Sequence, residues 1–568
     1  TPKPKAMLRP SPHRPRQDAS KDEQERAIGD LRAKRAAWHA ASPAEKSRAL
    51  ELCVPLFVEE TEGYTAGAIG VKGGYEGGSA EERLAWAVNL ITVNEYIQTL
   101  RSDGPPVLRS STDQETGQKV VQVFPSGLYK LAFLGLKGSI WLEAGKPVER
   151  LPPPADASLC LVLGAGNQVA AVIGDVLHCL FTKGAVVLCK LSPCNDYAAP
   201  HLERALAPLV DLGVLRFVCG GAGVGARLCA HEGIDEIHMT GSRATYHAVR
   251  ASAGLSTPAP GREEEGLDGG GDGGKPLTCE LGCVTPFVVV PGAWSDADLD
   301  FQAKQFVSGK VINASHNCLA LEVIVLPETW DLREKFMDRV RHHLRASMKR
   351  VAWYPGSREK YDRFLANFPQ AEVFGSFEHT REGYGEVGTS PWVLMPGLGE
   401  DSCLGRDEKW CGVIQEVRIR DCHTMGEYTA RVARFCNDTL YGDLSCSVFV
   451  HPRTRAENRR EVEGLIAALD YGSVAVNCPA VAAYCFTSLA WGGPSSGSAY
   501  DPERSSANCF VHNTSMLAHA RKSVLECPWR PVPYPVWLYD NAGVEDVSKA
   551  AVHFFARPSL LTLLPLAA

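Results

Sequence analysis

The chain has 568 residues, 45% of them apolar and 22% charged, which suits about three globular domains. Its 59 Lys and Arg against 66 Asp and Glu leave a net charge of −7, which excludes the broad basic face that sequence-independent nucleic-acid binding needs. The 19 cysteines are scattered, with no CxxC pair and no zinc-like spacing, so free thiols in a reducing, intracellular compartment are expected and no metal centre.

Residues 1–17 carry five Lys/Arg, five Pro and no acid. This reads as a disordered arm over 1–19 or the remnant of an organelle-targeting segment. Residues 20–100 are predicted helical. Ser42-Pro43-Ala44-Glu45 has the form of a capping box with proline at the first helical position, and Ser79 with Glu82 repeats the signal. Strands are predicted within 119–145, in KVVQVF and SIWLEA.

From 158 to 290, short apolar runs alternate with helical patterns: SLCLVLG, AVVLCK, VLRFVCG and DEIHMT, with helices near 169–182, 196–209, 224–231 and 243–252. That alternation predicts a parallel, doubly wound sheet, whose ligands sit beyond the carboxyl ends of the strands. Residues 254–274 are rich in Gly, Pro and acid, and read as a flexible surface insertion. Strands and helices resume at 286, including VIVLP (323–327) and a basic helix near 332–350. No apolar run reaches the 18 residues of a membrane span, and the terminal SLLTLLPLAA is too short to be one.

One set of residues carries chemistry. Asn313-Ala314-Ser315-His316-Asn317-Cys318 precedes an apolar run, and Thr278-Cys279-Glu280-Leu281-Gly282 lies at a strand end. His238-Met239-Thr240-Gly241-Ser242 spans a strand-to-helix turn, Lys190 closes a strand, and Asn167 follows Gly164-Ala165-Gly166. Singly, each has an ordinary structural reading: a buried thiol, a surface acid, a helix cap or a turn residue.

In order and spacing, the set resembles the aldehyde dehydrogenase superfamily. The Cys318 segment is similar to that family's N-x-G-Q-x-C, Thr278–Gly282 to its E-L-G-G element, and Met239–Ser242 to its F-T-G-S turn. Lys190 follows Asn167 by the family's spacing. Tyr471–Asn477 resembles the late G-T-V-W-V-N strand, and Trp491-Gly492-Gly493 the glycine pair after it. The sequence departs from the pattern at three places. P-W-N is here Ala165-Gly166-Asn167. The acid expected three residues after Lys190 is Pro193. The E-x-F element appears as Glu408-Lys409-Trp410-Cys411-Gly412, with the glutamate either out of register or replaced by Lys409.

The resemblance implies an α/β protein with a doubly wound, Rossmann-like coenzyme domain over 20–280, a catalytic α/β domain over 281–440, and a return to the coenzyme domain over 441–485. It also implies a small strand element from 119–157 and 486–520 that pairs with another subunit, within a terminal stretch 486–568, and hence a homodimer or homotetramer. Cys318 is then the nucleophile, Glu280 the general base, and Asn167 an oxyanion donor. Lys190, Gly225, Thr240, Gly241, Ser242, Leu281 and Glu408 would hold NAD or NADP. Without an acid at Pro193, NADP should be tolerated, because an acid there binds the free 2′-hydroxyl and repels a 2′-phosphate.

The residue types suit that reaction. A thiolate is the nucleophile, so Cys318 needs either a nearby base or an electropositive setting. The substrate is then a small-molecule aldehyde, oxidised to an acid in the cytoplasm or a mitochondrion. Two other readings stay open: a structural subunit of a larger assembly descended from such an enzyme, and a thioester-forming reductase. Glu280 weighs against the latter.

Overall fold

The computed structural model describes residues 15–74, 78–113, 116–255, 274–347, 350–375, 389–493 and 504–567. The insertion expected at 254–274 lies almost wholly outside these residues, as does most of the amino-terminal arm.

Three long helices open the fold: α1 (Lys21–Ala40), α2 (Pro43–Lys72) and α3 (Gly78–Arg101). Ser42 and Glu45 form the expected capping box, each side chain accepting from the other's backbone N–H. The signal at Ser79 is corrected. α3 already begins at Gly78, and Glu82 turns inward to a buried pair with Lys72 at 2.8 Å.

The alternating region forms a five-stranded parallel sheet. Its order is Leu215–Cys219, Val186–Leu191, Leu159–Leu163, Glu236–Thr240 and Leu277–Glu280. Val186–Leu191 is buried at every position, as a strand covered on both faces requires. Gly221 precedes the helix Ala222–Ala230, and Ser242 caps the helix Arg243–Ser252. Both helix starts face the carboxyl edge of this sheet.

The second sheet has eleven strands. Its parallel centre is built by Ser473–Val476, Ser445–Phe449, Thr285–Val289, Leu321–Pro327, Val413–Ile419 and Trp392–Gly399. Residues 441–485 therefore do not return to the coenzyme-side sheet. Ser445–Phe449 is buried throughout and finds its partners in Thr285–Val289 and Ser473–Val476.

The small strand element joins the large sheet of its own chain. Lys119–Phe124 and Lys137–Leu142 form an antiparallel pair. Lys137–Leu142 pairs with Ala520–Glu526, which lies parallel to Ser473–Val476 of the same chain. Period-2 patterning shows that a segment is a strand, but not which edge it joins. After this strand the chain continues into the helix Val544–Ala556, packed on α3, and a last helix, Leu560–Ala567.

Candidate active site

Cys318 lies just beyond a short loop between the helix Asp296–Val311 and the strand Leu321–Pro327. Three consecutive non-glycine residues in this loop have left-handed backbones: Asn313 (φ 52°), Ala314 (φ 54°) and Ser315 (φ 70°). Such conformations cost on the order of 1–3 kcal/mol each and persist only where the surroundings over-determine them. Here they do. Asn313 N–H donates to Glu81 Oε1 of α3 (2.6 Å), and Asn313 Nδ2 donates to the carbonyls of Asn167 (3.2 Å) and His316 (3.0 Å). Ser315 Oγ donates to the Cys411 carbonyl (3.0 Å), Asn317 Nδ2 to that of Ile312 (3.0 Å), and Trp353 Nε1 to Asn313 Oδ1 (3.2 Å). The other oxygen of Glu81 pairs with Arg350 at 3.3 Å.

The Cys318 thiol is half-buried and its Sγ lies 3.3 Å from Glu280 Oε1. Glu280 ends the edge strand of the five-stranded sheet and is 2% exposed. Burial pushes its carboxyl above the ordinary glutamate value, the charge of Asp175 adds to this, and His512 and Cys318 partly offset it. Burial also pushes the Cys318 thiol well up, and the neighbouring carboxylates Glu280 and Glu408 push it further. Of the two settings that could activate the thiol, the structure therefore offers the base; the largest charges beside Cys318 are negative. Glu280 Oε2 is buried with no hydrogen-bond partner among the described residues.

A cavity of about 730 Å³ joins this pair to the carboxyl edge of the parallel sheet. Asn167, Lys190, Gly225, Thr240, Gly241, Ser242, Leu281 and Glu408, all singled out in the sequence, line it together with Cys318 and Glu280. Not all of their side chains point into open space. Thr240 Oγ1 donates inward to Asp175 Oδ2 (2.9 Å), Ser242 Oγ accepts from the Thr245 backbone (3.2 Å), and Asn167 Nδ2 donates to the His316 carbonyl (3.0 Å).

Of the two residues offered for the E-x-F position, Glu408 lines the cavity and Lys409 does not. Lys409 Nζ is tied to the carbonyls of Leu404 (2.7 Å) and Asp407 (2.8 Å), whereas Glu408 lines the cavity behind Gly282. A Cβ at position 282 would lie 2.0 Å from a Glu408 oxygen, so only glycine admits this contact. Burial, and then the charge of Glu322, keep the Glu408 carboxyl well above its ordinary range.

Several residues of the site carried no recognisable signal in the sequence. Tyr354 comes from the far side of the cavity, and its hydroxyl stands 2.7 Å from where a Cβ on Gly166 would be, which accounts for the glycine where the family pattern has Trp. His316, held to Ser357 at 3.1 Å, is pushed down to about 3 by burial and by the charges of Lys72, Lys360 and Lys310. Beneath Glu280, the fully buried Asp175 meets His512 at 3.0 Å and His238 at 3.2 Å. Burial alone would raise Asp175, but its interactions with both imidazoles prevail and hold it below the usual carboxylate range. Among the described residues no group of three or more His, Cys, Asp or Glu could hold a metal.

The structure is an α/β protein whose cleft presents a cysteine–carboxylate pair. Comparisons narrow this. Residues 160–352 match the model of the aldehyde dehydrogenase family. The chloroplastic betaine aldehyde dehydrogenase of Amaranthus hypochondriacus is 25% identical over 316 residues, 53% of this chain and 54% of that protein. The mitochondrial aldehyde dehydrogenase of Sus scrofa is 25% identical over 309 residues, 52% of each. The chain thus spans about half the length of the curated relatives it matches.

Among solved structures, the gamma-glutamyl-gamma-aminobutyraldehyde dehydrogenase of Burkholderia cenocepacia has a TM-score of 0.62 at 17% identity, covering 89% of each chain. A putative methylmalonate-semialdehyde dehydrogenase of Sinorhizobium meliloti, complexed with NAD, has a TM-score of 0.61 at 14% identity, covering 92% of this chain and 94% of that one. Residues 160–352 thus resemble the aldehyde dehydrogenase family in sequence, and the fold over most of the chain is like that of its solved members, at low identity.

Proposed function

We propose that the protein oxidises an aldehyde to a carboxylic acid with NAD or NADP, through a covalent bond to Cys318. The observation that carries this reading is the 3.3 Å contact between Cys318 Sγ and Glu280 Oε1 inside the cavity that ends at Lys190.

Glu280 takes the thiol proton as Cys318 Sγ attacks the aldehyde carbon. Proximity replaces the thiolate-stabilising cation that the site lacks. The oxygen of the resulting thiohemiacetal is negative. Its donors are the Cys318 backbone N–H and the Asn167 amide, which has one hydrogen committed to the His316 carbonyl and a second to give. Removing one such donor typically costs ~10²–10³ in turnover. Once Glu280 has released the thiol proton to solvent, its unpartnered Oε2 is the acceptor for the proton of the water that hydrolyses the thioester, and Cys318 leaves as a thiolate that Glu280 can reprotonate.

The cavity suits a nicotinamide coenzyme, which when bound would accept hydride from the tetrahedral carbon. It runs along the carboxyl ends of parallel strands and past the start of the Ser242-capped helix, where anions are favoured. A Cβ at Gly225 would meet nothing within 4 Å, so this wall is open. Lys190 and Glu408 would hold the two riboses, and the backbone at Thr240, Gly241 and Leu281 would line the channel. The family also motivates a homodimer or homotetramer, in the cytoplasm or a mitochondrion. Among the described residues no helix is long and apolar enough to cross a membrane.

The test is a titration with NAD and with NADP, followed by a panel of aldehydes read at the nicotinamide absorbance. Saturable coenzyme binding and Cys318-dependent NAD(P)H formation are expected. Absence of both would overturn the reading and leave the structural-subunit alternative.

A further inference from the structure

Part of the cavity wall is supplied by a segment of the chain that lies outside the catalytic motifs. After Ala520–Glu526 the backbone crosses the helix Asp296–Val311, the same helix that leads into the Cys318 loop. It is fastened there at successive points. Gln302 Nε2 donates to the Trp529 carbonyl (2.8 Å), Trp529 Nε1 to Asp298 (2.8 Å), and Trp537 Nε1 to Gln305 Oε1 (2.7 Å). Tyr539 N–H donates to Ser308 Oγ (3.1 Å), and the Tyr539 hydroxyl is engaged by His343 (2.9 Å). The helix Val544–Ala556 then locks onto α3 through Arg83 to Glu545 (3.0 Å) and Asn94 to the Phe555 carbonyl (2.7 Å).

This segment contributes Val536, Trp537, Leu538, Tyr539, Val544 and Phe555 to the cavity lining, mostly apolar, with the Tyr539 hydroxyl already engaged by His343. Facing elements complete the wall with Phe133 and Phe486. Their rings meet edge-on at 4.9 Å, and Phe133 stacks at 6.4 Å from Phe555. The charged lining groups come from other elements: Glu280 beside Cys318, Lys190 and Glu408 toward the parallel sheet, Lys360 close to His316 and Glu408, and Glu81 paired with Arg350 under the loop. A charged substrate body entering this wall would lose its hydration with nothing to replace it, whereas an apolar one gains from burial.

Resting on the proposed aldehyde oxidation at Cys318, we infer that residues 528–556 form, in cis, an apolar substrate wall that selects aldehydes with an aliphatic or aromatic body over charged ones. Trp537 is the specificity-determining residue of that wall.

Octanal, acetaldehyde and the anionic aldehyde glyoxylate separate the possibilities. Octanal should exceed glyoxylate in kcat/KM by about a hundredfold or more, and Trp537→Ala should lower the preference for octanal over acetaldehyde about tenfold, through KM rather than kcat. Trp537→Phe should restore most of it. Binding is read independently by calorimetry, with octanamide as a neutral, unreactive probe of the Cys318→Ala protein. Saturable binding, weakened about tenfold by Trp537→Ala, is expected. Val536→Asn, at a half-buried lining position, is the second variant should Trp537→Ala not fold, and it should weaken octanamide as well.

If octanamide binds and the wall variants weaken it while no aldehyde is oxidised, the oxidation reading fails and the apolar site stands. If aldehydes are oxidised but glyoxylate matches octanal, or if octanamide is indifferent to the wall variants, the inference is overturned and the oxidation reading stands.

Discussion

Glu81 of α3 accepts the backbone N–H of Asn313 at 2.6 Å, so a helix from the first quarter of the chain holds the strained loop that positions Cys318. The bond is charge-assisted, of a kind worth about 1.5–3 kcal/mol. Glu81→Ala should lower the melting temperature and reduce kcat/KM by about 10²-fold, because a displacement of about 1 Å at a reacting atom has that effect. Glu81→Gln, which keeps an acceptor oxygen, should recover most of both. Thermal melts and steady-state rates check this; full activity in Glu81→Ala would show that the loop holds its shape without the helix.

Cys318→Ala should abolish oxidation and leave coenzyme affinity within about twofold, since 1.4 kcal/mol is tenfold and no thiol–coenzyme bond is lost. Glu280→Gln should behave differently. The substitution removes one of the two carboxylates that push the Cys318 thiol up, but burial and Glu408 still hold it above its ordinary value, so only a small thiolate fraction forms and acylation slows without vanishing. Deacylation has no substitute base, so a burst of NAD(P)H followed by a stalled steady state is expected in stopped-flow traces. Normal turnover of Glu280→Gln would assign Glu280 a structural role.

Glu280 also makes a stability prediction. Its folded-state pKa is raised by burial above the ordinary 4.5, so between the two values the folded protein binds more protons than the unfolded chain. Stability then falls as pH rises through that window. Glu280→Gln removes the penalty. The variant should melt close to wild type below the ordinary value of 4.5 and progressively above wild type as the pH rises from there. A difference that shrinks with rising pH would contradict the assigned sign.

With NAD or NADP bound as proposed, Asp18 should bear on the choice between them. Pro193 supplies no acid after Lys190, yet Asp18 Oδ1 accepts the Gly221 N–H at 2.9 Å, at the start of the helix Ala222–Ala230. Burial lowers the Lys190 pKa, and Asp18 is the first of the charges that oppose this. An acid brought in from outside the motif should disfavour a 2′-phosphate. Asp18→Asn should therefore improve NADP affinity relative to NAD by about tenfold, a change of ~1.4 kcal/mol, in paired titrations. An unchanged ratio would mean that Asp18 only caps the helix.

The parallel sheet was legible because its strands alternate with helices at short, regular intervals, and Cys318, Glu280 and Asn167 because they sit in recognisable neighbourhoods. The remainder depends on contacts between distant segments, which spacing does not encode. Nothing in Gly166 foretells that the Tyr354 hydroxyl takes up its side-chain space, and nothing in Glu81 foretells Asn313. Asp175 reads as one acid in an apolar helix until His238 and His512 are brought against it from two other elements. Tyr471–Asn477 was recognisable as a strand by its resemblance, but its edge partners were not.

Ala520–Glu526 lies between Ser473–Val476 and Lys137–Leu142, so the large sheet joins early and late parts of the chain. During synthesis the early hairpin must wait for that strand to leave the ribosome, while Ser473–Val476 shows an unpaired edge of backbone donors and acceptors. Such an edge is a template for other chains. Truncations that remove residues after 519 should therefore accumulate as aggregates rather than as a smaller folded protein, and nascent chains should depend on chaperones until the last strand arrives.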